Sequence, residues 1–470
     1  MITVDVITGP PGAGKSTLIL NEMAATQGRY LWASPIIDLI DEQVPKFRNL
    51  APTAACMAIH SQARLRGSVG RNIADLPTQF DAAHHAAAFI SHDALLAADV
   101  TKFAGWHIRL DETPDAVSTG VLKMRETVGL YRDLYDLTPL AGTGWSRVIP
   151  VRADQNWNHL QSDDLGKHIV DFHKHAGRPQ GLIINAESWE EARSKKEVEW
   201  FSAWSPLELQ ACATIAVTGA GFFHSVAYKV AQAWFGDKIA FKSRPAKVSP
   251  RTGCPHVRIH YFVNGHRGTT DLWSKSEGRR FLVPICDWLA SNVPELDYWS
   301  GNEIVQILFD HRVPGEMTKA KLAGLNRLRE ATSCAFIYSN KPTKADQPLK
   351  SVFGMSDQEI IAARETEDII QFAFRGAIRN PDFNGVYDIY LYHHDQAHDL
   401  KDALCGYGLH DTEIIPVPGA GIMDAQVIGA GKSQSGSPAD AAQRRRDLTA
   451  ARVKKHRKKK KGEKAAAAAA

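Results

Sequence analysis

Gly9 to Thr17, reading GPPGAGKST, constrains this chain more than any other stretch. It fits the pattern GxxxxGK followed by Ser or Thr, with Gly9, Gly14, Lys15 and Ser16 in the fixed places. It also lies between the β-branched run Val4 to Ile7 and a helix expected to begin near Ser16. Glycines let the backbone curl, so that successive N–H groups and the helix N-terminus aim at phosphate oxygens. The loop residues Gly9, Pro10, Pro11, Gly12, Ala13, Gly14, Lys15, Ser16 and Thr17 are therefore the expected nucleotide cradle. Lys15 is to reach the β- and γ-phosphates, and the Ser16 hydroxyl is to ligate Mg²⁺.

The chain of 470 residues exceeds the size at which one hydrophobic core stops growing, so at least two domains are expected. Its 44% apolar and 23% charged residues suit large buried cores. No run of about twenty apolar residues occurs, which argues against a membrane span. The first strand begins at the N-terminus, leaving no room for a signal peptide. Six cysteines without a CxxC pair read as reduced thiols in a cytoplasmic protein. The net charge of +4 hides an asymmetry: twelve Lys/Arg against three acids between Asp440 and Lys464 leave the remainder slightly acidic. That basic segment follows a Gly/Ser stretch and ends in polyalanine, a composition expected to be disordered; it reads as an arm that raises affinity for nucleic acid by counterion release, or as a solubilising terminus or address signal.

Downstream of the loop, apolar strands and helical segments alternate, the signature of a parallel α/β sheet. Tyr30 to Ala33 ends at Ser34-Pro35, Ala86 to Ile90 at Ser91-His92-Asp93, and Trp106 to Leu110 at Asp111-Glu112. Polar residues thus collect at strand carboxyl ends, where open α/β sheets bind ligands. Adjacent carboxylates after an apolar strand complement a phosphate loop: Asp111 for the metal shell, Glu112 for the attacking water.

This order of stations resembles superfamily 2 helicases, the DEAD-like nucleic-acid-dependent ATPases. GPPGAGKST resembles motif I and Leu110-Asp111-Glu112-Thr113 motif II. Ser34-Pro35 with the helical Leu39 to Gln43 resembles motif Ia, and Ser91-His92 lies in a segment resembling Thr-His-Glu-x-Leu-Leu. Thr218-Gly219-Ala220 resembles motif III, whose usual form is Ser-Ala-Thr, and implies a coupling role for Thr218. Leu322 to Asn326 resembles motif V, and Gln371 to Arg379 motif VI, with its arginines one residue wider apart than usual and Phe374 where Gly is common. The resemblance implies nucleic-acid contacts at Ser34, Pro35, Ser91, His92 and Asn326, and coupling through Gln371. Arg375 and Arg379 are four apart, so on a helix they share a face, and either can serve as an arginine finger reaching the γ-phosphate.

The expected architecture is α/β: two RecA-like parallel-sheet lobes of a P-loop NTPase, at 1–245 and 246–430, with a flexible basic tail at 431–470. The stretch from about 113 to 210 reads as an insertion in lobe 1. Its interleaved aromatics, among them Trp145, Trp157 and Trp189, are expected to build a small core, with stacking on bases as the alternative, and Phe241 to Pro255 reads as a hinge. Cys254, His256 and His260 lack a fourth ligand for zinc. The implied activity is ATP hydrolysis with Mg²⁺, coupled to movement on single-stranded or branched nucleic acid, DNA rather than RNA, in a phage-type member of the group. A P-loop phosphotransferase, a packaging-type ATPase motor and a binding protein without turnover are the alternatives.

Overall fold

Buried on both faces, strands of a parallel sheet read as unbroken apolar runs, and Ala86 to Ile90 does so with every side chain sequestered. The computed structural model describes residues 1–427 except 64, 124–126, 152–168, 193, 195–196, 247–250 and 321–325. The basic tail, Trp157 and Leu322 to Leu325 therefore lie outside the described residues, as does the side chain of Asn326.

The first lobe is built on β1 (Ile2–Thr8), β2 (Arg29–Ser34), β3 (Ala55–Ile59), β4 (Ala86–Ser91) and β5 (His107–Leu110). An inserted segment follows, with β6 (Val117–Leu122), β7 (Tyr135–Leu140), β8 (Trp145–Pro150), β9 (Leu182–Asn185) and β10 (Val198–Ala203). The chain then returns to the first sheet through β11 (Thr214–Thr218) and β12 (Ile239–Pro245). That sheet has the order β12-β1-β11-β5-β2-β4-β3, and all its pairings are parallel. β1, β11 and β5 are neighbours, which sets the phosphate loop beside the Asp-Glu pair although about a hundred residues separate them.

Two features of this sheet differ from the sequence-based expectation. β3 was not anticipated, because as an edge strand it buries only Ile59 fully and shows little apolar alternation. Phe241 to Pro245 is no hinge: it continues β12, whose register against β1 runs from Ile2↔Ile239 to Thr8↔Pro245. An edge strand tolerates Lys242 and Arg244 because one side faces water, and Arg244 is pinned by a bidentate pair with Glu22.

The insertion forms a five-stranded antiparallel sheet, order β6-β10-β9-β8-β7. Tyr135, Phe172, Trp189 and Trp200 pack inside it, so its aromatics build a core, as expected. Its two ends meet: Trp204 N–H donates to Ala116 C=O at 2.8 Å.

The second lobe comprises β13 (His256–Val263), β14 (Tyr298–Gly301), β15 (Glu316–Met317), β16 (Ser333–Ile337), β17 (Val386–His393) and β18 (Thr412–Pro416). Its order is β15-β14-β16-β17-β13-β18, again wholly parallel. The architecture is thus α/β with two RecA-like parallel lobes. Helical residues Asp357–Ile361 and Glu367–Ala373 are joined through a π-helical turn, Ala362–Thr366, a feature frequent at functional sites. Among the described residues no helix is long and apolar enough to cross a membrane.

Candidate nucleotide site

The phosphate loop takes its shape from three glycines in positive-φ conformations, Gly9, Gly12 and Gly14. Gly14, at φ 73°, is the cap from which the helix Lys15–Ala25 starts, so the first helical N–H groups point into the loop. A cleft of about 660 Å³ opens there, lined by Pro11 to Thr17, by Asp111 and Glu112, and from lobe 2 by Glu367, Gln371 and the two arginines.

Ser16 Oγ donates to Asp111 Oδ1 at 2.5 Å. Thr218 joins them: its hydroxyl donates to the same Asp111 oxygen at 3.3 Å and accepts from the Glu112 N–H at 2.8 Å. Glu112 itself has φ 71°, one of two non-glycine residues in the left-handed region among those described. Such a backbone costs about 1–3 kcal/mol and persists where its surroundings hold it. Here Thr218 fixes the amide and so the direction in which the carboxylate leaves the strand. Burial, followed by the charge of Asp111, pushes the Glu112 carboxyl up to about 7. Burial likewise raises Asp111, against the opposing hydrogen bonds of Ser16 and Thr218. Hard oxygen donors and a sequestered carboxylate beside a hydroxyl fit Mg²⁺, and Ser16 and Asp111 are the residues that would hold it. Lys15 Nζ donates to Gly9 and Pro10 C=O, 2.8 Å each, within its own loop. Burial lowers its pKa, opposed by Glu112, Glu367 and Asp111.

The two arginines part company. The expectation that they share a helix face is overturned: the helix Glu367–Ala373 stops before Arg375, and Arg379 ends a separate 3₁₀ turn, Ala377–Arg379. The cause is Gly376, where a β-carbon would lie 2.6 Å from the Tyr387 ring and 2.8 Å from Ala331 C=O, and where Ala377 N–H leaves the helix to donate to that carbonyl. Arg375 turns into its own lobe. It donates to Lys319 and Ala320 C=O at 3.0 and 2.9 Å and to Thr318 Oγ1 at 3.3 Å, with its guanidinium 4.9 Å over the Phe372 ring. Arg379 crosses the cleft instead. A β-carbon on Gly12 would collide with its Cγ and lie 2.7 Å from its Nε, so the side chain rests directly on the phosphate loop.

The residues expected to touch nucleic acid are placed unevenly. Ser34 is fully buried, its Oγ accepting from the Trp32 indole N–H at 2.7 Å, which removes it from any phosphate contact. His92 is also inward, in the cleft wall, with burial holding its pKa down at about 4. A neutral, sequestered imidazole is a poor phosphate ligand, so both assignments are corrected. Pro35 lines the same cleft. Ser91 Oγ caps the helix His92–Ala97 by accepting from Ala94 N–H.

Several cleft residues escape sequence reasoning, Glu367, Arg364 and Asn340 among them. Glu367 presses against Gly221, where a β-carbon would lie 2.9 Å from its Cδ, and accepts from Gln371 Nε2 at 2.9 Å. Arg364 enters the wall from the π turn. Asn340, just beyond the carboxyl end of β16, donates to Asp368 at 3.1 Å. Of these, only Asn340 carries a sequence signal, its place just beyond the carboxyl end of an apolar strand.

Loop, paired carboxylates and an opposing arginine define a two-lobed P-loop nucleotide-binding fold. The sequence matches no protein-family model and no curated protein. Among solved structures the chain is similar over most of its length to several, at low identity. An XPD helicase matches at 10% identity with TM-score 0.46, over 88% of this chain and 96% of that one. Xpd4 of S. tokodaii matches at 12% and 0.42, over 88% and 96%. S. cerevisiae Dbp5 bound to RNA and ADP BeF3 matches at 11% and 0.36, over 88% and 85%.

Proposed function

We propose that the chain is an ATP-dependent helicase or translocase that couples hydrolysis to movement on single-stranded or branched nucleic acid, DNA in preference to RNA, in the cytoplasm. The observation that carries this reading is the contact of Arg379 from lobe 2 with Gly12 of the loop in lobe 1, across a cleft that also holds Ser16, Asp111, Thr218 and Glu112. A nucleotide hydrolysed there is gripped by one lobe and completed by the other, so its state governs how the lobes sit.

In this mechanism the loop amides and Lys15 bind the β- and γ-phosphates. Ser16 and Asp111 would hold Mg²⁺, which would supply charge neutralisation at the phosphate oxygens. Glu112 accepts the proton of the attacking water. Arg379 places its guanidinium on the charge that develops in the transition state and is the arginine finger; Arg375 braces the turn that presents it. Thr218 and Gln371 relay occupancy of the cleft to the two lobes, and Ser91 and Asn326 contact the strand.

The test is the ATPase rate with and without single-stranded DNA or RNA. Wild type should be stimulated by single strands, and more by DNA, while Lys15→Ala should abolish turnover in every condition. A rate indifferent to both nucleic acids sinks the motor reading; turnover that survives Lys15→Ala sinks the site.

A further inference from the structure

The inserted sheet touches both lobes at once. Phe201 of β10, Trp234 of the lobe-1 helix Val226–Phe235, and Phe353 of lobe 2 form a triangle of rings. Their centroids are 5.3 Å apart for Phe201–Trp234, 5.3 Å for Phe201–Phe353 and 5.2 Å for Trp234–Phe353. Ile183, Val230, Leu349, Met355 and Ile360 are buried in the same cluster, against which Trp234 and Phe353 pack half-buried, so each of the three bodies contributes apolar residues. Polar contacts reinforce it. Thr119 Oγ1 of the insertion donates to Asp346 Oδ1 of lobe 2 at 3.1 Å, and Lys229 of lobe 1 pairs with Glu359 at 3.1 Å. The same Asp346 oxygen accepts from Arg364, a cleft residue, at 2.8 Å.

We infer that the insertion is a clasp that keeps lobe 2 joined to lobe 1 throughout the nucleotide cycle, so that closure of the cleft is a rotation about the aromatic triangle. The inference rests on the two-lobed motor reading and supplies a role for the one segment that the motor core does not need. Two bodies joined by a single chain crossing can in general take many relative orientations. A second attachment leaves one axis of motion. The entropy of bringing Arg379 onto the loop then falls, because its approach becomes a guided swing. Packed apolar junctions suit this duty: they hold as units and do not stretch by degrees. The bond from Asp346 to Arg364 ties the clasp to the cleft wall.

The test uses the full chain, with Phe353→Ala to open the triangle and Phe353→Leu to refill it. Hydrogen exchange is followed in Leu182–Asn185 and Val198–Ala203 of the insertion and in Leu349–Ile360 of lobe 2. Adding AMP-PNP and Mg²⁺ to wild type should leave exchange in these segments unchanged while protecting the phosphate loop. Phe353→Ala should raise exchange in the insertion and in lobe 2 together. By thinning the population able to close, it should raise the KM for ATP about tenfold with kcat at saturation little altered. Phe353→Leu should restore both. Exchange in β10 that rises with AMP-PNP, or that ignores Phe353→Ala, overturns the clasp, as does an unmoved KM. If wild type shows no ATP turnover, the motor reading fails separately, and the exchange data still decide whether the junction is a single unit.

Discussion

Glu112 carries three constraints at once: a left-handed backbone, a neighbouring carboxylate and a half-buried place in the cleft wall. Its carboxyl titrates at about 7, so the base form is scarce in acid and fills as pH rises. Turnover should therefore climb through pH 7 and level off above it, and a kcat–pH profile checks this. Glu112→Gln should lower kcat by about 100-fold or more with ATP binding intact, since a positioned base contributes about 10²–10⁴. The linkage has the opposite sign for folding. A carboxyl whose native pKa is raised above its unfolded value favours the folded state at low pH, and that contribution is lost as pH rises toward 7. At pH 8, Glu112→Gln should accordingly melt above wild type in a thermal scan. The phosphate loop and the Asp-Glu pair were legible in the sequence because each is a local pattern following an apolar strand. Glu367 was not, because its meaning comes from Gly221, about 150 residues earlier in the chain, and no spacing rule connects them.

At the level of elements, the turn after helix Glu367–Ala373 decides which arginine faces the nucleotide. The pair at 375 and 379 could be singled out from sequence, but not the break between them, since it depends on Tyr387 and Ala331 crowding Gly376. The two substitutions should therefore separate cleanly. Arg379→Ala should reduce kcat by about 10³-fold or more with stability unchanged, as expected of a lost arginine finger. Arg375→Ala should destabilise the protein by about 1–3 kcal/mol, because the carbonyls of Lys319 and Ala320 lose their donor. Steady-state kinetics beside urea unfolding of both variants checks the distinction. The inserted sheet shows the same limit of sequence reading. Its aromatics announced a core, but short strands such as β9 and β10 have no local feature that fixes their pairing.

For the whole molecule, charge is the separate variable. The residues before Asp440 are slightly acidic and the basic segment after it reverses the sign. Ending the chain after Gly436 should weaken binding to single-stranded DNA and flatten its salt dependence, while basal ATP turnover persists; titrations at several salt concentrations check this. The alternation of strands and helices made the two lobes legible, whereas the boundary between them was blurred because a basic edge strand, β12, carries the composition of a linker. The hydrogen bond between Trp204 and Ala116 has a consequence for engineering. Because the inserted sheet leaves and rejoins lobe 1 through a single doorway a few residues beyond Asp111 and Glu112, a splice there would cut no strand of the parallel sheet, and the cost of removing the insertion falls instead on the apolar cluster that Ile183 and Phe201 share with both lobes.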